Sequence, residues 1–119
     1  MPTWTVKPEP VTGAGIDEAI WQYFTEIGQR VLGRPATETE LRHALGDDPH
    51  SNLNPPHGVF LVARDSDGTL LGYAGVRLLA NVPATAELKP MYVRPAGRGA
   101  GLGRGLLPAA ESSARELAP

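Results

Sequence analysis

From Ile16 onward, apolar residues recur every three to four positions: Ile16, Ile20, Tyr23, Phe24, Ile27 and Val31. Asp17 and Glu18 stand in the opening turn and Gly33 follows the end. This spacing predicts an amphipathic helix with acids at the positive end of its dipole and a glycine stop. Thr37 and Glu40 have capping-box spacing ahead of Leu41, Ala44 and Leu45, so a second, shorter helix is predicted to end at Gly46. Before the first helix, TWTVKPEPV alternates as a short strand. Pro8 and Pro10 confine that strand to an edge or end it. The stretch from Asp47 to Gly58, DDPHSNLNPPHG, is too rich in Asn, Pro and Gly for a regular element and is read as a surface loop.

Beyond the loop the period changes to that of strands. GVFLVAR and TLLGYAGVRLL are joined by DSDG, in which Asp67 and Gly68 supply the turn of an antiparallel hairpin. Gly72 and Gly75 inside the second run predict a bulge or a close backbone approach. A third run, ATAELKPMYV, contains Pro90, whose missing amide is tolerable at a bulge or an edge. GLGRGLLPAAESSARELA then reads as a helix with Leu102, Leu106, Ala109 or Ala110, Ser113 and Leu117 on one face. Pro108 lies within it and removes a hydrogen bond at a cost of about 3 kcal/mol if unrelieved, so a kink is expected near Arg104 to Pro108. Strand, two helices, three strands, loop and helix make an α+β fold with a mainly antiparallel sheet flanked by helices.

The 119 residues suit a single domain over 1–119. Residues 1–87 carry 6 basic and 11 acidic groups and residues 88–119 carry 5 and 2, so a net −2 chain has a local surplus of +3 in its last quarter. That surplus suits a small phosphorylated ligand better than a nucleic-acid backbone, which needs a broader basic surface. With no cysteine, disulfides, thiolate metal sites and cysteine nucleophiles are excluded. His43, His50 and His57 have no second set of ligands at metal spacing and are read as solvent-exposed, so no metal site is expected. Trp21, Tyr23 and Phe24 are read as core, Tyr73 and Tyr92 as packing residues, and Asp47 and Asp48 as helix-end and loop charges. MPTWTVKPEP has no signal-peptide pattern, and no 18 apolar residues run together. The expectation is a cytoplasmic protein with neither membrane nor nucleic-acid partners.

The candidate chemistry lies in VRPAGRGAGLGRGLL, where the third strand-like run meets the last helix. A strand that ends in glycines and opens a helix aims the unpaired first amides of that helix at one point, where phosphate oxygens can satisfy them. Arg98, with Arg104 behind it, would add charge-assisted bonds. The dinucleotide fingerprint fails, since glycines started from Gly97, Gly99, Gly101 or Gly103 meet Leu102, Arg104, Leu106 or Pro108 at the last position. The nucleotide P-loop fails as well, because no lysine follows Lys89. Arg98-Gly99-Ala100-Gly101-Leu102-Gly103 fits Arg-x-x-Gly-x-Gly, with a plain flexible connector as the alternative.

With this pattern directly after MYVRP and before a helix, the sequence resembles the GNAT superfamily of acyl-CoA-dependent N-acyltransferases. The likeness is close over residues 85–117, looser from 58, and confined to the order of elements before that. It implies that the amides from Arg98 through Arg104 (Arg98, Gly99, Ala100, Gly101, Leu102, Gly103, Arg104) cradle the pyrophosphate of acetyl-CoA. Met91, Tyr92 and Val93 would flank the carrier arm, with the backbone of Met91 and Val93 pairing with the pantetheine as another strand would and the Met91 amide steadying an oxyanion. Glu87 would be the general base, directly or through water. The superfamily usually continues with further strands and a helix that supply a tyrosine general acid, whereas this chain reads to Pro119. A C-terminally truncated GNAT-like fold is therefore expected, with a homodimer or a complementing chain covering the fourth strand. An N-acetyltransferase is the leading reading. A catalytically silent module that binds CoA or a protein partner comes next, and a nucleotide or nucleic-acid binder using the Arg-Gly loop comes last.

Overall fold

The computed structural model describes residues 4–47, 50, 53–79, 81–99 and 101–118. Strands β1 (Trp4–Pro8), β2 (Gly58–Asp65), β3 (Leu70–Leu78) and β4 (Ala86–Val93) make one antiparallel sheet in the order of the chain, with β1 and β4 at its edges. Helices α1 (Ile16–Leu32) and α2 (Glu38–Asp47) precede β2, and α3 (Leu102–Leu117) follows β4. The architecture is the α+β arrangement that the order of periods predicts.

Strand alternation, reset on β3 at Leu71 where the pairing with β2 shifts between Ala63 and Arg64, gives the sheet two apolar faces. On one, Phe60, Val62, Tyr73 and Tyr92 bury against Ile16, Ala19, Ile20 and Phe24 of α1 and Leu41 of α2. On the other, Leu61, Ala63, Leu71, Ala74 and Val76 bury against Leu102, Leu106 and Ala110 of α3. Each face is thus closed by a helical stripe of matching period.

The local signals act largely as read. Gly33 ends α1 in the left-handed conformation, φ 69°, and its amide donates to the Gln29 carbonyl. At the start of α2 the Thr37 amide donates to Glu40 Oε1 at 2.9 Å and the Glu40 amide donates to Thr37 Oγ1 at 3.1 Å, a reciprocal capping box. α2 runs one residue beyond Gly46, the residue at which the sequence predicts its end. In the β2–β3 turn, Gly68 takes φ 85°, while Asp65 Oδ1 accepts the amides of Asp67 and Thr69. α3 continues through Pro108 as one helix, and the ring lies on the exposed side beside Leu107.

The segment between α2 and β2 departs from the surface loop expected of it. Leu53 is buried, and so is His50, whose ring meets Phe24, Phe60 and Tyr73 edge-on at centroid distances of 6.0 to 6.4 Å. His50 is therefore a core aromatic instead of a solvated histidine, while His43 and His57 are exposed. A loop rich in turn residues still folds inward when it carries two groups able to cap a sheet face. Asp48 of this segment lies outside the described residues.

β4 carries one extra residue. Ala74 pairs with Met91 and Val76 pairs with Leu88, so Lys89 and Pro90 together stand against Gly75. Such a bulge needs no amide from proline. It needs glycine opposite, because a Cβ on Gly75 would come within 2.8 Å of the Lys89 carbonyl oxygen and 2.7 Å of Leu53 Cδ1. The bulge also resets alternation. Met91 and Val93 pack on the α3 side, and past the bulge Leu88 and Ala86 do so too. Glu87 therefore shares the α1–α2 face with Tyr92, where an unbroken strand would have put it beside Met91.

Candidate functional site

The glycine loop begins where β4 stops pairing. A single 3-10 turn, Pro95–Gly97, follows Arg94, with Gly97 buried against Leu71 and Leu102. Gly99 and Gly101 then take φ 84° and 75°, the left-handed region that favours glycine, and α3 starts at Leu102. Ala100 lies outside the described residues. At Gly99, Gly101 and Gly103 an added Cβ would meet nothing within 4 Å, so this side of the loop is open.

The amides of the loop divide into two sets. The Arg98 amide donates to the Pro95 carbonyl at 3.2 Å and the Arg104 amide to the Gly101 carbonyl at 3.1 Å, so both are already spent. For the amides of Gly99, Gly101, Leu102 and Gly103 no protein acceptor stands within reach among the described residues. These remaining groups lie at the positive end of the α3 dipole, where an anion is favoured.

β4 turns half of its backbone outward. The Arg94 amide donates to the Leu71 carbonyl at 2.8 Å, in step with the Tyr73–Tyr92 pair, so the amides and carbonyls of Met91 and Val93 point away from β3. Against this edge, between β4 and α1, lies a cavity of about 360 Å³ walled by Glu26, Arg30, Met91, Tyr92, Val93 and Arg98. The Tyr92 ring packs against Tyr23 and Tyr73. Burial first, and then the neighbouring Glu26 carboxylate, push its hydroxyl up to about 12.

The Arg98 guanidinium does not point to open solvent in wait for an anion. Its Nη2 donates to both Glu26 oxygens at 2.8 Å, and its Nε donates to the Val93 carbonyl at 3.2 Å. Arg94, four residues earlier, behaves similarly. Its Nε donates to Gln22 Oε1 at 2.8 Å and its Nη2 stands 3.5 Å from Glu18 Oε1. Glu18, Gln22 and Glu26, spaced by four on α1, thus form a polar row that meets two arginines from the end of β4. The sequence reading missed this row. Its only local signal is the shared spacing of four in two segments 72 residues apart.

Glu87 is cross-strand partner to Arg77, whose Nε and Nη2 stand 3.1 and 2.9 Å from Glu87 Oε1. Glu87 Oε2 has no partner among the described residues. The pair is about one-third exposed, enough for water or an amine to reach it. Glu87 and the glycine loop lie at opposite ends of β4, so a ligand touching both must run along that strand. Arg104 is exposed on the first turn of α3. Among the described residues no cluster of three metal-binding side chains occurs, and no helix is long and apolar enough to cross a membrane.

An antiparallel meander with helices on both faces, a bulged edge strand and a glycine loop feeding a helix define a fold of the N-acyltransferase class. Residues 16–118 match the Acetyltransferase (GNAT) family, and the chain belongs to that family. Among curated relatives it is 34% identical over 110 residues to the N-alpha-acetyltransferase RimI of Mycobacterium tuberculosis, covering 87% of this chain and 61% of that protein. It is 46% identical over 56 residues to an uncharacterised N-acetyltransferase of Schizosaccharomyces pombe, covering 47% of this chain and 34% of the relative. The chain therefore spans less than two thirds of either relative. A GNAT-family acetyltransferase from Staphylococcus aureus superposes with a TM-score of 0.66 at 17% identity, covering 95% of this chain and 67% of that one. A candidate acetyl transferase from Pyrococcus furiosus gives 0.68 at 26% identity, covering 95% and 75%.

Proposed function

We propose that this chain carries the acyl-donor half of an N-acetyltransferase site, taking acetyl-CoA and passing its acetyl group to an amine of a small molecule or protein. The observation that carries the reading is the open glycine surface at the start of α3, where left-handed Gly99 and Gly101 leave the amides of Gly99, Gly101, Leu102 and Gly103 without protein acceptors among the described residues. The diphosphate of the donor would sit there, and its arm would run along the outward backbone of Met91 and Val93, past Tyr92, as an added strand.

On this reading the thioester lies near the β4 bulge, with the Met91 amide available to an oxyanion. Glu87 Oε2 would accept the proton that the amine loses on attack, directly or through water, while Arg77 holds the carboxylate in place. The carbon–sulfur bond breaks as the amide forms, and CoA leaves as the thiolate, which takes a proton from water while Glu87 returns its own to solvent.

Calorimetric titration with CoA tests the donor site, and thiol release with a panel of amines tests turnover. Binding at micromolar to millimolar CoA is expected. Glu87→Gln should lower turnover by about a hundredfold with little change in CoA affinity. Failure to bind millimolar CoA would remove the reading. The silent-module alternative is favoured by CoA binding without turnover on any amine. A second copy or complementing chain along the β4 edge would appear as a larger species in light scattering, displaced as CoA is added.

A further inference from the structure

Both anchor points that the donor reading gives to this end of β4 are already held by one side chain. Arg98 places Nε on the Val93 carbonyl and Nη2 on the Glu26 carboxylate. The bridge runs from α1 to the edge strand along the wall of the β4–α1 cavity, beside the buried Tyr92 hydroxyl. An incoming diphosphate would compete with Glu26 for the guanidinium, and an incoming pantetheine amide would compete with Arg98 for the Val93 carbonyl.

We propose that Glu26 is a gating residue for the acyl donor: its carboxylate substitutes for the phosphate on Arg98 and latches that side chain across the carrier-arm edge until a diphosphate displaces it. The proposal rests on the acyl-CoA reading above and adds to it a residue on α1 that sets donor affinity without belonging to the glycine loop.

The physical case is one of matched competitors. Both carboxylate and phosphate accept charge-assisted bonds from a guanidinium, and a diphosphate at the α3 start brings more charge together with the unspent amides. The latch is partly solvent-exposed, with side-chain exposures of 49% for Arg98 and 30% for Glu26, so breaking it costs little. Arg94 is held separately by Gln22, Glu18 and the Leu70 carbonyl, so α1 stays docked when Arg98 leaves. A ligand with the arm but no diphosphate could not pull Arg98 away by charge. The latch thereby selects for donors that carry the diphosphate.

The experiment is calorimetric binding of CoA and of pantetheine, which lacks the diphosphate, to the wild type, Glu26→Gln and Arg98→Ala, with thermal melts to verify folding. Glu26→Gln should tighten CoA by about two- to fivefold, the range set by losing one exposed ion pair. Arg98→Ala should weaken CoA by about tenfold through the lost phosphate contact, yet tighten pantetheine binding because the Val93 carbonyl is freed, and unchanged or weaker pantetheine binding in that variant would overturn the latch. Glu26→Ala serves as a second variant should the amide of Gln rebuild the bridge. CoA binding that is unchanged or weaker in both Glu26 variants, with the wild type binding normally, overturns the gate and leaves the donor site standing. Absence of CoA binding to all of the proteins overturns the donor site and the gate together.

Discussion

At Gly103 a helix and the proposed diphosphate would make opposite demands on one position. The residue lies in the first turn of α3 without a left-handed φ, and an added Cβ would meet nothing within 4 Å. Helix propensity alone favours alanine there, so Gly103→Ala should raise unfolding stability by up to about 1 kcal/mol in urea titration. On the donor reading the same methyl would take up part of the open loop surface, and CoA affinity should fall by about tenfold in calorimetry as the diphosphate loses its close approach. A variant that gains stability and keeps full CoA affinity would show that the open loop surface is not the phosphate seat. Glu87 makes a related point at the same scale. Its identity as an acid is visible in sequence, but the face it occupies depends on one extra residue in β4.

Among the elements, α2 shows how local chemistry holds a short helix. Glu40 closes the capping box and also takes the Arg34 guanidinium in two bonds of 2.9 and 3.0 Å. Arg34 first, and then the Thr37 amide, hold its carboxyl at about 2 against an ordinary value of 4.5. A carboxylate depressed on folding contributes stability above its unfolded pKa and loses it as pH falls through the folded one. The contribution should therefore be intact above about pH 4.5 and vanish between there and about pH 2. NMR titration of the Glu40 carboxyl should give the low midpoint, and Glu40→Gln should remove that part of the acid dependence of melting. Because the carboxylate is partly open to solvent and its partners are all at the start of α2, the effect is local to that turn. The glycine loop and α3 form a second such unit. Left-handed glycines and a 3-10 turn set where the helix begins, and the apolar stripe of α3 sets how it lies on the sheet.

For the whole molecule, stability comes from closing both faces of one sheet. Leu106 is fully buried where α3 crosses the sheet, whereas its neighbour Leu107 is 45% exposed. Leu106→Ala should cost about 2–5 kcal/mol through lost burial and the cavity left behind, and Leu107→Ala should stay within about 0.5 kcal/mol, both by denaturant midpoint. Because the two cores share the strands between them, the loss at Leu106 should appear as one cooperative transition. Equal effects at the two positions would contradict the packing of α3.

What the sequence determined by itself is whatever depends on near neighbours along the chain. The period of α1, the Thr37–Glu40 box, the hairpin turn at Gly68, the edge position of β1, the bulge marked by Gly75 and Pro90, and the glycine loop before a helix were all legible, because each rests on backbone geometry within a few residues. The inward fold of His50 and Leu53 was not, since turn-rich composition says nothing about what a loop covers. The side of the sheet that Glu87 faces required the paired register of β3 and β4. Arg98 is the clearest case. Its place in an Arg-x-x-Gly-x-Gly pattern is a local fact, but its bond to Glu26 joins positions 72 apart and exists only because burial of the α1 stripe lays that helix beside the end of β4. Burial is summed over many side chains and is indifferent to any one polar pair, so tertiary packing alone decided which charges meet.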